Sequence, residues 1–150
     1  MYSVDLNSDM GESFGAYRLG GDEEIIRYVT TANVACGWHA GDPMVMDQVV
    51  RLAKEQGAMV GAHPGYPDLM GFGRRKMALS FQEVKNYVKY QIGALSAFTQ
   101  SNGMKLQHVA PHGAMGNQCQ YDEEISTAIV EAAAEFDKDL IIYYCAGAVL

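Results

Sequence analysis

The sequence lacks the devices that staple small secreted proteins together. Its 150 residues include only 3 cysteines, Cys36, Cys119 and Cys145, far apart and without a CxxC pair. A disulfide framework or zinc ribbon is therefore not expected, and a reducing compartment fits best. No apolar run approaches the ~18 residues of a membrane span. The N-terminal MYSVDLNSDMGES has carboxylates where a signal peptide needs an apolar stretch. The expected location is the cytoplasm. Positive charge is also scarce: 11 Lys and Arg against 18 Asp and Glu give a formal charge of −7. Nucleic acid and anionic membranes reward a basic face, so neither is expected as a partner. Linkers, repeats and low-complexity tracts are missing too. What is there, 49% apolar and 19% charged residues, describes a single α/β domain over residues 1–150. A chain this long can bury its own core without a structural metal.

Short apolar runs alternate with longer amphipathic segments. Ser3 to Asn7 reads as a strand. Asp22 to Thr31 reads as a helix with Asp22 as N-cap and acids in its first turn, where the helix dipole favours them. Ala32 to Cys36 is a second strand. Asp42-Pro43 opens the next helix and Gly57 closes it. Ala58 to Ala62 is a third strand. Ser80 to Glu83 has capping-box spacing. The helix it starts carries Val84, Val88, Ile92 and Leu95 on one stripe and stops at Asn102-Gly103. Lys105 to Val109, Asp122 to Phe136 and Leu140 to Cys145 read as strand, helix and strand. This βα order implies a parallel sheet with helical crossovers. Open sheets and closed barrels both fit, and in either the site belongs at the C-terminal strand ends. About five βα units fall short of a closed barrel, so an incomplete barrel or an open sheet is expected.

Polar residues do collect where strands end. Asp5, Asn7 and Asp9 are two apart and share one face of an extended chain. A buried-looking polar face is costly unless it binds something, and Glu12 adds a further carboxylate. The bland alternative is a hydrogen-bonded strand end. In NVACGWHAGD, Gly37 and Gly41 bracket Trp38 and His39, which can serve as base, metal ligand or substrate donor. Asp42 suits a helix cap as well as a substrate contact. His63 closes the third strand. In GFGRRK, Arg74, Arg75 and Lys76 suit an anionic substrate or phosphate, or else a solvated loop paired with acids. In HVAPHGAMGN, His108, Ala110 and His112 alternate on one face, and Asn117 can orient a carbonyl. His39, His63 and His112, three of the 4 histidines, thus sit at strand ends facing carboxylates. That supports general acid–base chemistry or a divalent metal held by these three imidazoles with a carboxylate. No HExxH or GxxxxGK[ST] motif is present.

These blocks resemble the LamB/YcsF family, the A subunits of 5-oxoprolinase. The matching stretches are DLNSDMGE (5–12), NVACGWHAGD (33–42), GAHPGYPD (61–68), GFGRR (71–75), YQIGAL (90–95) and HVAPHGAMGN (108–117). The resemblance implies a distorted (β/α) barrel akin to glycoside hydrolase/deacetylase barrels, of which residues 1–150 form the N-terminal part. It implies ATP-dependent opening of 5-oxo-L-proline to L-glutamate, with Mg2+ accompanying the ATP, together with the partner B and C subunits. Carried over by motif, the site comprises Asp5, Asn7, Asp9, Glu12, His39, Asp42, His63, Arg74, His112 and Asn117. Asp9, His39, His63 and His112 are the expected catalytic members, and the others are expected to bind substrate. Where the family usually reads KPHGALYN, this chain has Ala110 in place of lysine and Gly116 in place of tyrosine. Ala110 shares the face of His112, so an amine is missing from the site-facing side. Two rival functions remain: a metal-dependent deacetylase or amidohydrolase, suggested by the His/carboxylate set, and a non-catalytic binding subunit, suggested by Ala110. An open sheet edge also makes a homo-oligomer one expected way of covering exposed surface.

Overall fold

The computed structural model describes residues 2–147. The outer limits of the expected domain, residue 1 and residues 148–150, lie outside the described residues. The elements run β1 (Asn7–Met10), α1 (Asp22–Ile25), β2 (Thr31–Ala35), α2 (Pro43–Gln56), β3 (Met59–His63), α3 (Phe81–Ser101), β4 (Leu106–Val109), α4 (Gly113–Gln118), α5 (Glu123–Phe136) and β5 (Ile141–Ile142). The strands form one 5-stranded parallel sheet in the order β1-β2-β3-β4-β5. Each strand pairs with its successor, and the order never reverses as it does in a doubly wound sheet. The result is an arc of a (β/α) barrel that is not closed by strand pairing among the described residues.

Side-chain alternation divides the arc into two faces. Ala32, Val34, Val60, Ala62 and Val109 point to the helices and build the core with α2, α3 and α5. Asn7, Asp9, Asn33, His63 and His108 take the concave side, where their side chains meet one another. α2 starts where expected: Asp42 caps Met44 N and Val45 N, Pro43 follows, and Gly57 ends the helix in the left-handed conformation at φ 73°. α3 carries the capping box of Ser80 and Glu83, and buries Val84, Val88, Ile92 and Leu95 completely. No helix among the described residues is long and apolar enough to cross a membrane.

Several local expectations change. β1 begins at Asn7 rather than Ser3, because Leu6 N donates to the Thr30 hydroxyl at 2.8 Å rather than joining the ladder. The first helix is a single turn, since Thr30 and Thr31 are drawn out of it by backbone bonds to Leu6 O. Its N-cap is Gly21; the Asp22 carboxylate instead accepts from Gly11 N at 3.0 Å. β5 is confined to Ile141–Ile142, the two residues that pair with His108 and Val109. Residues 113–118 form a short helix in a stretch to which the sequence pattern assigned no element, its periodicity hidden by Gly113 and Gly116.

A candidate functional site at the strand ends

The lower concave face is a closed polar network. Asn33, on β2, donates to Asn7 Oδ1 at 2.7 Å and to Asp9 Oδ1 at 2.8 Å. Its own Oδ1 receives Asn7 Nδ2 at 2.8 Å and lies 2.7 Å from His108 Nε2. His108 lies flat under Tyr143, ring centroids 4.3 Å apart. Tyr143 donates to Asp5 Oδ2 at 2.9 Å, which ties the segment after β5 to the segment before β1. Asp5 also accepts from the hydroxyls of Thr30 and Thr31. These bonds hold its carboxyl below the usual range even though burial opposes them. His108 can cross the sheet here because β3 has a glycine beside it: a Cβ on Gly61 would stand 2.1 Å from the imidazole.

Above this network lies a second group with open valences. His63, the last residue of β3, places Nδ1 2.6 Å from Ala110 O. A carbonyl can only accept, so Nδ1 carries the proton and Nε2 presents a lone pair. His112, at the N-cap of α4, places Nε2 2.8 Å from Phe72 O, so its Nδ1 presents a lone pair as well. Those two lone-pair nitrogens face each other at 2.9 Å. Asp9 Oδ1 is 3.3 Å from His63 Nε2, and Glu12 Oε1 is 3.9 Å from His112 Nδ1. His39 stacks on His112 at 3.7 Å with a 5° tilt, is fully buried, and finds no hydrogen-bond partner for either ring nitrogen.

The electrostatics follow from this packing. Burial drives His39 down to about 3 and His112 to about 4, with the neighbouring imidazoles adding to the effect, so both rings are neutral at pH 7. Burial pushes the Asp9 carboxyl up, but the hydrogen bond and charge that His63 offers when its Nε2 is also protonated, with the Asn33 amide, outweigh it and hold Asp9 well below its ordinary value. Burial raises Glu12. One strand-end cluster thus presents an ionised carboxylate, a carboxyl of raised pKa and neutral imidazoles. Of these groups Glu12 is the one whose pKa moves toward neutrality, while the neutral imidazoles of His39 and His112 keep lone pairs available to a proton or a metal. Glu12, His39, His63 and His112 also offer ligand atoms all within 4.8 Å of one another, a set that can hold a divalent metal.

The loop before α3 supplies a part that the sequence did not single out. Asp68 is buried and accepts from Gly71 N at 2.9 Å, from Arg75 N and from the Arg75 guanidinium. These bonds, the Arg75 side chain first, hold its carboxyl at about 2. The clamp folds residues 68–75 so that Phe72 adopts φ 53° and turns its carbonyl to His112. Gly73 follows at φ 64°, where a Cβ would meet His39 at 2.7 Å.

The remaining expected residues sit at different distances from the cluster. Asp5 and Asn7 belong to the network beneath it. Arg74 is exposed, packs over the Phe72 ring at 5.5 Å and lines the open cleft that contains Asp9, His63 and His112. Arg75 is taken by Asp68, and Lys76 lies over the Tyr121 ring. Asp42 spends one oxygen on the start of α2 and the other on Gly15 N at 2.8 Å. Asn117 is exposed on α4 and lines a neighbouring cleft that shares Arg74. Burial pushes the Cys36 thiol up to about 12 and Cys119 up to about 11, which leaves neither as a thiolate nucleophile.

Fold and site together define an arc of a parallel (β/α) barrel with an imidazole–carboxylate centre at its C-terminal strand ends. The chain belongs to the LamB/YcsF family, whose profile matches residues 4–150. It is 61% identical to the 5-oxoprolinase A subunit of Thermococcus onnurineus, over 96% of this chain and 56% of that protein. The 5-oxoprolinase A subunit of Campylobacter jejuni is 57% identical over 94% of this chain and 55% of its own length. The chain thus spans about half the length of the curated relatives it matches. The crystal structure of a lactam utilization protein from Thermus thermophilus superposes with a TM-score of 0.96 at 52% identity, covering 98% of this chain and 60% of that one.

Proposed function

We propose that this chain is the A component of a cytoplasmic, ATP-dependent 5-oxoprolinase that hydrolyses 5-oxo-L-proline to L-glutamate with the partner B and C subunits. The observation that carries this reading is the convergence of Asp9, Glu12, His39, His63 and His112 at the strand ends, in a chain so similar to proteins named as 5-oxoprolinase A subunits. A lactam carbonyl is a poor electrophile, and ATP with Mg2+ supplies its activation. The chain has no glycine-rich phosphate loop of the Walker type, so no step is assigned to its residues in handling ATP. Its own residues suit hydrolysis. Asp9, held ionised, and neutral His39 are the candidate bases for an attacking water. His112, neutral with a free lone pair on Nδ1, is the candidate acid for the leaving ring nitrogen once it has taken up the proton that the attacking water releases, and exposed Arg74 suits a carboxylate or phosphate at the cleft.

The test is ATP-dependent release of glutamate from 5-oxoproline with the B and C subunits present. Alanine at His39, His63 or His112 is expected to lower the rate by roughly 10²–10⁴; unchanged rates in all three would remove the site assignment. Ala110→Lys is expected to raise the rate, because it restores an amine on the face of the cleft that holds His63 and His112. Activity appearing only in Ala110→Lys would make the native chain a non-catalytic binding component. The close grouping of Glu12 with the three imidazoles favours one second reading, a metal-dependent amidohydrolase. Chelator-sensitive, ATP-independent hydrolysis would select it.

A further inference from the structure

We infer that His63 Nε2 and His112 Nδ1, with Asp9 and Glu12, form the ligand set of one divalent transition-metal ion, and that His39 is not one of its ligands. The inference deepens the proposed reading of the same site and rests on it for the site's location.

It starts from the tautomers. Ala110 O and Phe72 O each require a proton on the ring nitrogen that meets them, at 2.6 Å from His63 Nδ1 and 2.8 Å from His112 Nε2. A metal-ligating histidine is commonly fixed this way, its outer N–H held by a backbone carbonyl. The two inner nitrogens then confront each other as lone pairs at 2.9 Å. Two lone pairs at that distance repel unless a positive charge lies between them. Asp9 lies 3.3 Å from His63 Nε2, while Glu12 lies 3.9 Å from His112 Nδ1 and offers an oxygen within 4.8 Å of the ligand atoms of both imidazoles. Bonds of ~2.1 Å to one ion place neighbouring ligand atoms about 3.0–3.4 Å apart, close to the 2.9 Å and 3.3 Å separations found here, and Glu12 at 3.9 Å has to close in on the ion. Two imidazoles beside two carboxylates favour a transition metal over Mg2+ or Ca2+.

His39 is the nearest competitor for a place in the set, and its orientation removes it. An imidazole lone pair lies in the ring plane. The rings of His39 and His112 are stacked at 3.7 Å and tilted by only 5°. An ion in the plane of His112 is therefore well out of the plane of His39, and both cannot bind it. His39 remains fully buried with two unpartnered nitrogens, one of them 3.7 Å from Glu12 Oε1.

Binding is read without ATP, lactam or partner subunits, so its failure and that of the proposed reaction are separable. The purified protein, stripped with EDTA, is titrated with Co2+ and followed by its visible absorption and by calorimetry. One Co2+ per chain is expected. His63→Ala and His112→Ala should each weaken binding by at least about 100-fold, while His39→Gln leaves it within roughly threefold. No stoichiometric binding, or equal loss in His39→Gln, overturns the inference. A second measurement needs no variant. In long-range 1H–15N spectra, Zn2+ should shift His63 Nε2 and His112 Nδ1 and leave the His39 nitrogens in place. Unmoved His63 and His112, or a proton still shared between them at saturating Zn2+, would equally overturn it.

Discussion

His108 and His112 are both buried imidazoles on the same concave surface, yet their surroundings differ. His108 donates from Nε2 to Asn33 Oδ1 at 2.7 Å, its Nδ1 faces the side-chain amide of Gln107 at 3.1 Å, whose NH2 can turn to meet it, and the ring lies under Tyr143. His112 has one nitrogen fixed by a carbonyl and the other facing a second lone pair, with an unpartnered His39 against its ring. A satisfied polar network specifies and stabilises a fold. A half-satisfied one is costly, and its persistence marks the place where something else binds or reacts. The sheet therefore divides along its strands: the lower layer holds the arc together, and the strand-end layer is left open for chemistry.

Breaking the lower layer should cost stability before it touches chemistry. Gly61→Ala drives a Cβ into the His108 ring; a loss of about 3 kcal/mol is expected, read as a lower urea midpoint. Asn33→Ala strands Asn7, Asp9 and His108 and should cost on the order of 2–3 kcal/mol, or about 5–10 °C in Tm. If either variant melted like the parent, the lower layer would not be the strut that holds the arc. Breaking the upper layer should do the reverse. Asp68→Asn loosens the loop that aims Phe72 O at His112 and is expected to slow 5-oxoproline turnover by roughly 10–100-fold while 5-oxoproline binding changes less. An unaltered rate would detach Asp68 from the site.

The smallest effect concerns pH. His39, His108 and His112 titrate at about 3, 4 and 4 in the folded protein, against about 6.5 when unfolded. Between those values the unfolded chain binds more protons, so the stability they contribute is complete above about pH 6.5 and falls as pH drops toward 4. Urea midpoints in EDTA should decline across that window, and His108→Gln should make the decline shallower. Parallel slopes for parent and variant would contradict the neutral, buried state of His108.

Much of this division was legible in the sequence. The strand-end positions of His39, His63 and His112 follow from βα alternation, and the shared face of Asp5, Asn7 and Asp9 follows from the period of a strand. The caps at Asp42 and Ser80 were equally plain, because capping is local chemistry. What the sequence hid was long-range. Nothing near Asp68 announces that it folds a loop onto a histidine 44 residues on, the difference between positions 112 and 68. Tyr143 joins Asp5 only because the sheet curls. Asp22 looks like a cap until Gly11 takes its carboxylate. The short helix after His112 was hidden by its own glycines.

The most direct measurement sets the two layers side by side. ATP-dependent glutamate release is followed with the B and C subunits for His63→Ala and for His108→Gln, each checked for native melting. The division of the sheet predicts a loss of roughly 10² or more for His63→Ala and near-parental turnover for His108→Gln. Equal losses in both, or a larger loss in His108→Gln, would contradict it.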